Sequence, residues 1–262
     1  ERYGAPCILQ TCAQEPESFF GSFDIQVNNT SRQFINIFNS ALVNEVAATG
    51  DFLLDVAAIA ETVGLANWHD PVIYLMAKLP FAQKMVPFYA EHVCRIIAAM
   101  SGKARRALIL DLDNTLWGGV IGDDGLSGIE LSPGDALGEA YLAVQRTVLK
   151  LHQRGIVLAV CSKNNDTTAR IPFREHPDML LNENHIAVFQ ANWEDKVPNI
   201  QLIAETLNLG LESIVFLDDN PVERDRVRYS LPEVAVPELP GDPAYYPRTL
   251  LAAGYFETVY FS

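Results

Sequence analysis

The most constraining feature is Ala107-Leu108-Ile109-Leu110-Asp111-Leu112-Asp113-Asn114-Thr115, four apolar residues that run straight into two carboxylates spaced i, i+2. An unbroken apolar run of this kind predicts a strand buried on both faces, as in a parallel sheet. Open parallel sheets bind their ligands just beyond the carboxyl ends of the strands. Two acids crowded at such an end repel each other and call for a cation or a shared proton.

The rest of the second half repeats the pattern. Apolar strands are expected at Ile156–Cys161, Ile186–Phe189, Ile214–Leu217 and, shorter, Val234–Val236. Helices are expected between them, over Glu139–Leu151, from an Asp166 N-cap onward, and through Ile200 and Leu207 to a stop at Gly210. Strand-helix alternation at this spacing predicts an α/β fold, a Rossmann-like parallel sheet with helices on both faces.

Ser101-Gly102-Lys103-Ala104-Arg105-Arg106 is a short polar junction, so a boundary is expected at 104/105. Residues 1–104 show strand patterns at Pro6–Gln10 and Asp51–Val56. Helical periodicity runs through Phe34, Ile35, Ile37, Phe38, Leu42 and Val46, and again from Val86 to Ile97. That is part of an α/β unit, with too few strands to close a sheet alone. Trp68-His69-Asp70 reads as a structural turn ahead of a proline.

Charge narrows the functions. A net charge of −14 repels phosphate backbones and argues against a nucleic-acid partner. No apolar run approaches ~20 residues, so no membrane span is expected. No basic-then-apolar leader is visible. The four cysteines, Cys7, Cys12, Cys94 and Cys161, lack zinc-type spacing and are expected as reduced thiols in a cytoplasmic chain, with Cys94 in a core.

Polar groups fall where a parallel sheet would gather them. Successive strands end in Asp111/Asp113, in Ser162/Lys163, in Asp195/Lys196 and in Asp218/Asp219. Acids with a hydroxyl and a lysine at separate strand ends suit Mg²⁺, which takes oxygen ligands and binds through carboxylates plus substrate phosphate. In that setting Asp111 is the candidate nucleophile on phosphorus and Asp113 the candidate acid/base. Ser162 and Lys196 are placed to hold phosphoryl oxygens.

These four segments resemble the motifs of the haloacid dehalogenase (HAD) superfamily: Asp111-Leu112-Asp113-Asn114-Thr115 the first, Ser162 the second, Lys196 the third and Asp218-Asp219 the fourth. The resemblance implies Mg²⁺ held by Asp111, the Asp113 backbone carbonyl and Asp219, with Asp218 in support. Thr115, Ser162, Lys163, Asn164, Lys196 and Asp218 are the expected substrate-binding residues.

A narrower resemblance covers most of residues 50–258. Trp117-Gly118-Gly119-Val120-Ile121-Gly122-Asp123-Asp124-Gly125, Cys161-Ser162-Lys163-Asn164, Phe173-Arg174-Glu175-His176-Pro177, Asn192-Trp193-Glu194-Asp195-Lys196 and Val215-Phe216-Leu217-Asp218-Asp219-Asn220-Pro221-Val222-Glu223-Arg224 look like FkbH-type proteins of polyketide assembly. That implies a glyceryl or related three-carbon acyl group taken from a phosphorylated donor such as 1,3-bisphosphoglycerate. Delivery would be to the phosphopantetheine arm of an acyl carrier protein, within a larger polyketide synthase. The alternative is a small-molecule phosphatase without an acyl step.

Such relatives carry a fuller N-terminal domain resembling SGNH hydrolases. Its Gly-Asp-Ser-type segment is missing here, so a scaffolding or docking role is expected for residues 1–104. An enzyme thioester would need a thiolate. Cys161 is the candidate, adjoining Ser162 near Lys163 and Lys196. The pleat sets the condition: neighbouring strand residues point to opposite faces, so Cys161 faces the sheet interior if Ser162 faces the phosphate. Trp117–Gly125 is expected to form a flap, with no large cap domain. Arg170 and Arg174 are either contacts for a second acidic group or solvated helix residues.

Overall fold

A computed structural model describes residues 6–260. The chain forms two compact units, 1–102 with 258–262, and 103–257. The boundary falls close to the polar junction. The final residues, however, belong with the first unit: Val259 packs in its core and the Tyr260 ring meets Phe52 edge-on at 5.8 Å. The expected second domain of 105–262 is therefore too long at its end.

In the first unit, β1 (Ile8–Gln10) and β2 (Phe52–Leu54) pair in parallel, with Ile8 opposite Phe52. Helix Ser31–Thr49 starts at Thr30, whose side chain accepts from the Gln33 N–H. It stops at Gly50, which adopts φ 73° and returns its N–H to Val46. The apolar stripe of this helix does not form a core face. Phe34 and Ile37 are 68% and 63% exposed, and only Val46 is buried. Two three-residue strands offer too little surface to cover it. The small core instead gathers Phe52, Leu54, Val56, Ile59, Trp68 and Ile96. His69 Nε2 meets the Gln14 carbonyl at 2.8 Å, and Asp70 caps helix Pro71–Ala77. Both are structural roles. Cys94, expected in a core, is exposed, as are Cys7 and Cys12.

The second unit is built on β3 (Ala107–Leu110), β4 (Val157–Ser162), β5 (Ile186–Ala191) and β6 (Ile214–Leu217). All pair in parallel in the order β5-β4-β3-β6, so β3 lies between β4 and β6. Every residue of β3 and β6 is buried, and the pleat splits them cleanly. Leu108, Leu110, Val215 and Leu217 face one core, while Ala107, Ile109, Ile214 and Phe216 face the other. Two-sided burial is what the unbroken apolar runs require.

Val234–Val236 forms no strand. It contributes one parallel bridge, Ala235 to Val215, with two backbone hydrogen bonds to β6.

Helix ends also shift by short distances. Asn165, and not Asp166, caps helix Asp166–Glu175, accepting from Thr167 and Thr168. Helix Lys196–Leu207 ends at Asn208 in the left-handed region, φ 52°, ahead of the expected glycine stop. Helix Ala136–Gln153 is capped by Asp135 and followed by Gly155 at φ 93°. No helix among the described residues is long and apolar enough to cross a membrane.

Candidate active site

Beyond the carboxyl ends of β3, β4 and β6 lies a cleft of about 170 Å³, lined by Asp111, Asp113, Ser162, Lys163, Lys196 and Asp219, with Asn114, Asn220 and Glu223 completing its wall. Each of the four expected segments delivers at least one residue to it. Lys196 arrives from β5 through the first turn of its helix, which Asp195 caps.

Lys196 Nζ lies 2.9 Å from Asp111 Oδ1 and 2.6 Å from Asp218 Oδ2. Burial works against its charge, but Asp111 and Asp218 together outweigh this and hold the ammonium well above its ordinary pKa. The acids gain less from the arrangement. Burial, then the neighbouring Asp111 charge, pushes both Asp218 and Asp219 up. One ammonium among three crowded carboxylates leaves excess negative charge.

Asp111, Asp218 and Asp219 bring one oxygen each within 4.8 Å of one another. Three hard oxygens with uncompensated charge fit a divalent cation of the Mg²⁺ type. Asp218 has both oxygens committed, to Lys196 Nζ and to the Asn220 N–H, and does not line the cleft. Asp111 and Asp219 do line it, which favours them as direct ligands with Asp218 in support.

Asp113 stands apart from that cluster by its carboxyl group. Its Oδ1 accepts from Trp117 Nε1 at 2.9 Å and the Ile121 N–H at 3.0 Å, and its Oδ2 accepts from Asn164 Nδ2 at 2.9 Å. Burial raises its pKa, while the Ile121 and Trp117 hydrogen bonds act the other way. A fixed carboxyl that protonates more readily than usual suits a general acid. Trp117, fully buried, thereby ties the flap to the site, and Gly118 and Glu130 exchange backbone hydrogen bonds to close the flap's base. Asn114 turns the chain between Asp113 and Thr115 with φ 55°, a conformation asparagine tolerates better than most residues.

Three expected substrate contacts are bonded to residues that line the cleft. Thr115 is fully buried, donating to Asp219 Oδ1 at 3.3 Å and accepting the Asp219 N–H at 3.1 Å. Asn164 is buried against Asp113, and Asp218 against Lys196. None of the three lines the cleft. Arg170 and Arg174 pair with Glu183, and Arg170 also with Asp166. Neither lines the cleft.

Cys161 is the clearest departure. It is fully buried in the core with Ala159, Ile109, Val188 and Ile200, and burial pushes its thiol up to about 12. Ser162 faces the cleft, so the pleat turns Cys161 away. A protonated, inaccessible thiol is no acyl nucleophile. Cys161→Ala is expected to leave phosphate release intact and to lower stability by about 1 kcal/mol, read from turnover and thermal melts.

Sequence reasoning missed Glu223 and Arg224. Arg224, buried, donates through Nη1 to the carbonyls of both Asp218 (2.9 Å) and Asp219 (2.5 Å), fixing the turn that carries the acids. Its place near the start of the helix that follows the acidic pair was the available signal.

One solved structure matches both units of the chain: the N-terminal part of the protein BF1531 from Bacteroides fragilis, containing a phosphatase domain complexed with Mg. It is 40% identical over 99% of this chain and 70% of that one, with a TM-score of 0.93. The chain belongs to this family. More distant likenesses include a haloacid dehalogenase-like hydrolase from Xanthomonas campestris, at 14% identity over 58% of this chain and 96% of that one, TM-score 0.38. Another is a HAD enzyme from Bacteroides thetaiotaomicron, at 12% identity over 51% of this chain and 94% of that one, TM-score 0.34. No protein-family model and no curated protein matches the chain. Among the described residues, only the flap and a short loop separate Asp111–Thr115 from helix Ala136–Gln153, leaving no room for a large cap there.

Proposed function

We propose that this chain is a Mg²⁺-dependent phosphatase that works on a phosphorylated three-carbon donor and serves delivery of the acyl group to an acyl carrier protein. The observation that carries the phosphatase half is Asp111 in the cleft, fixed by Lys196 at 2.9 Å beside a separately held Asp113. In this reading an Asp111 oxygen attacks phosphorus as the bond to the leaving oxygen breaks, and Asp113 supplies that oxygen's proton. Asp113 then takes a proton from the water that hydrolyses the aspartyl-phosphate, releasing phosphate and restoring Asp111. Ser162 and Lys196 steady the phosphoryl oxygens. Mg²⁺, held by Asp111 and Asp219, supplies the charge neutralisation that lets an anionic phosphate approach these acids.

Support for the acyl half comes from the FkbH-type segments and from a cleft with no large cap over it, open to a phosphopantetheine arm. With Cys161 buried, the carrier's own thiol is the acceptor. Its sulfur attacks the acyl-phosphate carbonyl of the donor, the carbon–oxygen bond to phosphate breaks, and phosphate leaves with the proton the thiol gave up. Asp111 removes the donor's other phosphate, the ester. The exposed apolar stripe of helix Ser31–Thr49 agrees with a docking role for the first unit.

The deciding experiment incubates the protein with holo-carrier, Mg²⁺ and freshly generated 1,3-bisphosphoglycerate, and reads free phosphate and the carrier's intact mass. Phosphate release that stops on chelation, with a glyceryl increment on the carrier, is the expected result. Mg²⁺-dependent release with an unchanged carrier mass, across several three-carbon donors, leaves a phosphatase without acyl transfer.

A further inference from the structure

We propose that Lys163 and Glu223 form a substrate-reading pair that selects a phosphorylated hydroxy acid over a simple phosphate ester. The inference rests on the phosphatase reading and adds the chemical class of what that cleft accepts.

The pair stands where a substrate's far end must lie. Lys163 follows the last residue of β4, and Glu223 sits in the first turn of helix Pro221–Ser230 after β6. Because β4 and β6 flank β3, the Lys163 Nζ to Glu223 Oε1 contact of 2.5 Å reaches across the end of the strand that delivers Asp111. Both residues line the cleft.

Their commitments differ from those of the other charged groups. Lys196 is 4% exposed and tied to two carboxylates, so it cannot leave them for a distant anion without exposing their charge. Lys163 is 38% exposed and holds a single partner, which makes it the cleft cation free to turn toward an acidic group of the substrate. Glu223 carries a second signal. Its Oε2 is buried and accepts no hydrogen bond. A buried carboxylate oxygen without a donor is costly and is best explained by a donor that arrives with the ligand.

Both requirements are met without breaking the pair. Lys163 has three N–H donors, so it keeps Glu223 Oε1 and adds an acidic group of the substrate, while a substrate hydroxyl donates to Glu223 Oε2. A molecule with phosphate, hydroxyl and carboxylate satisfies every group. A plain phosphate ester leaves Lys163 on Glu223 Oε1 and Glu223 Oε2 without a donor.

The test compares kcat/KM for Mg²⁺-dependent phosphate release from 3-phosphoglycerate (acid and hydroxyl), glycerol 3-phosphate (hydroxyls only) and 3-phosphooxypropionate (acid only). The native chain should prefer the first over each of the others by about 10–100-fold, the range of one or two hydrogen bonds to charged groups. Lys163→Met should collapse the preference over glycerol 3-phosphate, and Lys163→Arg should restore much of it. Glu223→Gln should collapse the preference over 3-phosphooxypropionate. Equal losses on all three substrates would make the pair a structural tie and overturn the proposal, as would an unranked native chain that still hydrolyses p-nitrophenyl phosphate. Absence of release from all four compounds overturns the phosphatase reading, and this proposal with it.

Discussion

Asp111→Asn is expected to cut Mg²⁺-dependent phosphate release by at least about 10³-fold, the scale on which enzymes lose turnover when a covalent nucleophile is removed. The substitution is close to isosteric, so β3 and its two buried faces stay packed. What changes is chemistry and charge. An amide cannot attack phosphorus to give an acyl phosphate, and one of two carboxylates on Lys196 is gone. Lys196 retains Asp218 at 2.6 Å, so its ammonium is not orphaned. With one fewer crowded acid, the metal-free fold should lose no stability. Phosphate release and thermal melting on the same preparation check both halves. Full activity in the variant would make the acids a scaffold inherited with the fold.

Lys196→Met should be the most destabilising change in the cleft. The side chains of Lys196, Asp111 and Asp218 are 4%, 9% and 0% exposed, so solvent screens little of the loss. Breaking a buried ion pair by removing one partner costs about 3–5 kcal/mol, because the remaining charge has no counterpart. Here two carboxylates lose theirs. Turnover should fall by about 10²–10³-fold, since the cation that offsets charge at Asp111 is absent during transfer. Mg²⁺ should raise the melting temperature of this variant more than that of the native chain, because the metal becomes the main counter-charge. Equal metal-induced shifts in the two proteins would break the link between Lys196 and the metal acids.

The parallel sheet was legible because burial on both faces leaves no polar residue inside a strand, as Ala107–Leu110 and Ile214–Leu217 show. Its functional edge was legible because polar residues cannot continue into that core, so they mark where strands stop. What one residue does at that edge was harder to read. Cys161 and Ser162 are neighbours in sequence and opposites in space, and only the pleat decides which meets the cleft. Thr115 and Asn164 carry side chains that suit a phosphate equally well, but each is taken up by a protein carboxylate. Glu223 lies in one of the FkbH-like segments but gave no sign of a role of its own, since a glutamate in a first helical turn is ordinary dipole chemistry. In the first unit, the Phe34–Ile37–Phe38 stripe had the right period for a buried face, but periodicity does not supply the surface that would bury it.

Thr115 and Asp219 hold each other across 104 positions of sequence, and β3 pairs with a strand on either side that comes much later in the chain. Contacts of such long sequence separation form slowly, because loop closure must come before they stabilise anything. Asp111 and Asp219 therefore cannot share a cation until β6 has docked against β3. Metal affinity should appear as a late kinetic phase in refolding, after most helical signal has returned. A chain still emerging from synthesis, with Asp111 made and Asp219 not, has no chelating site to misfold around.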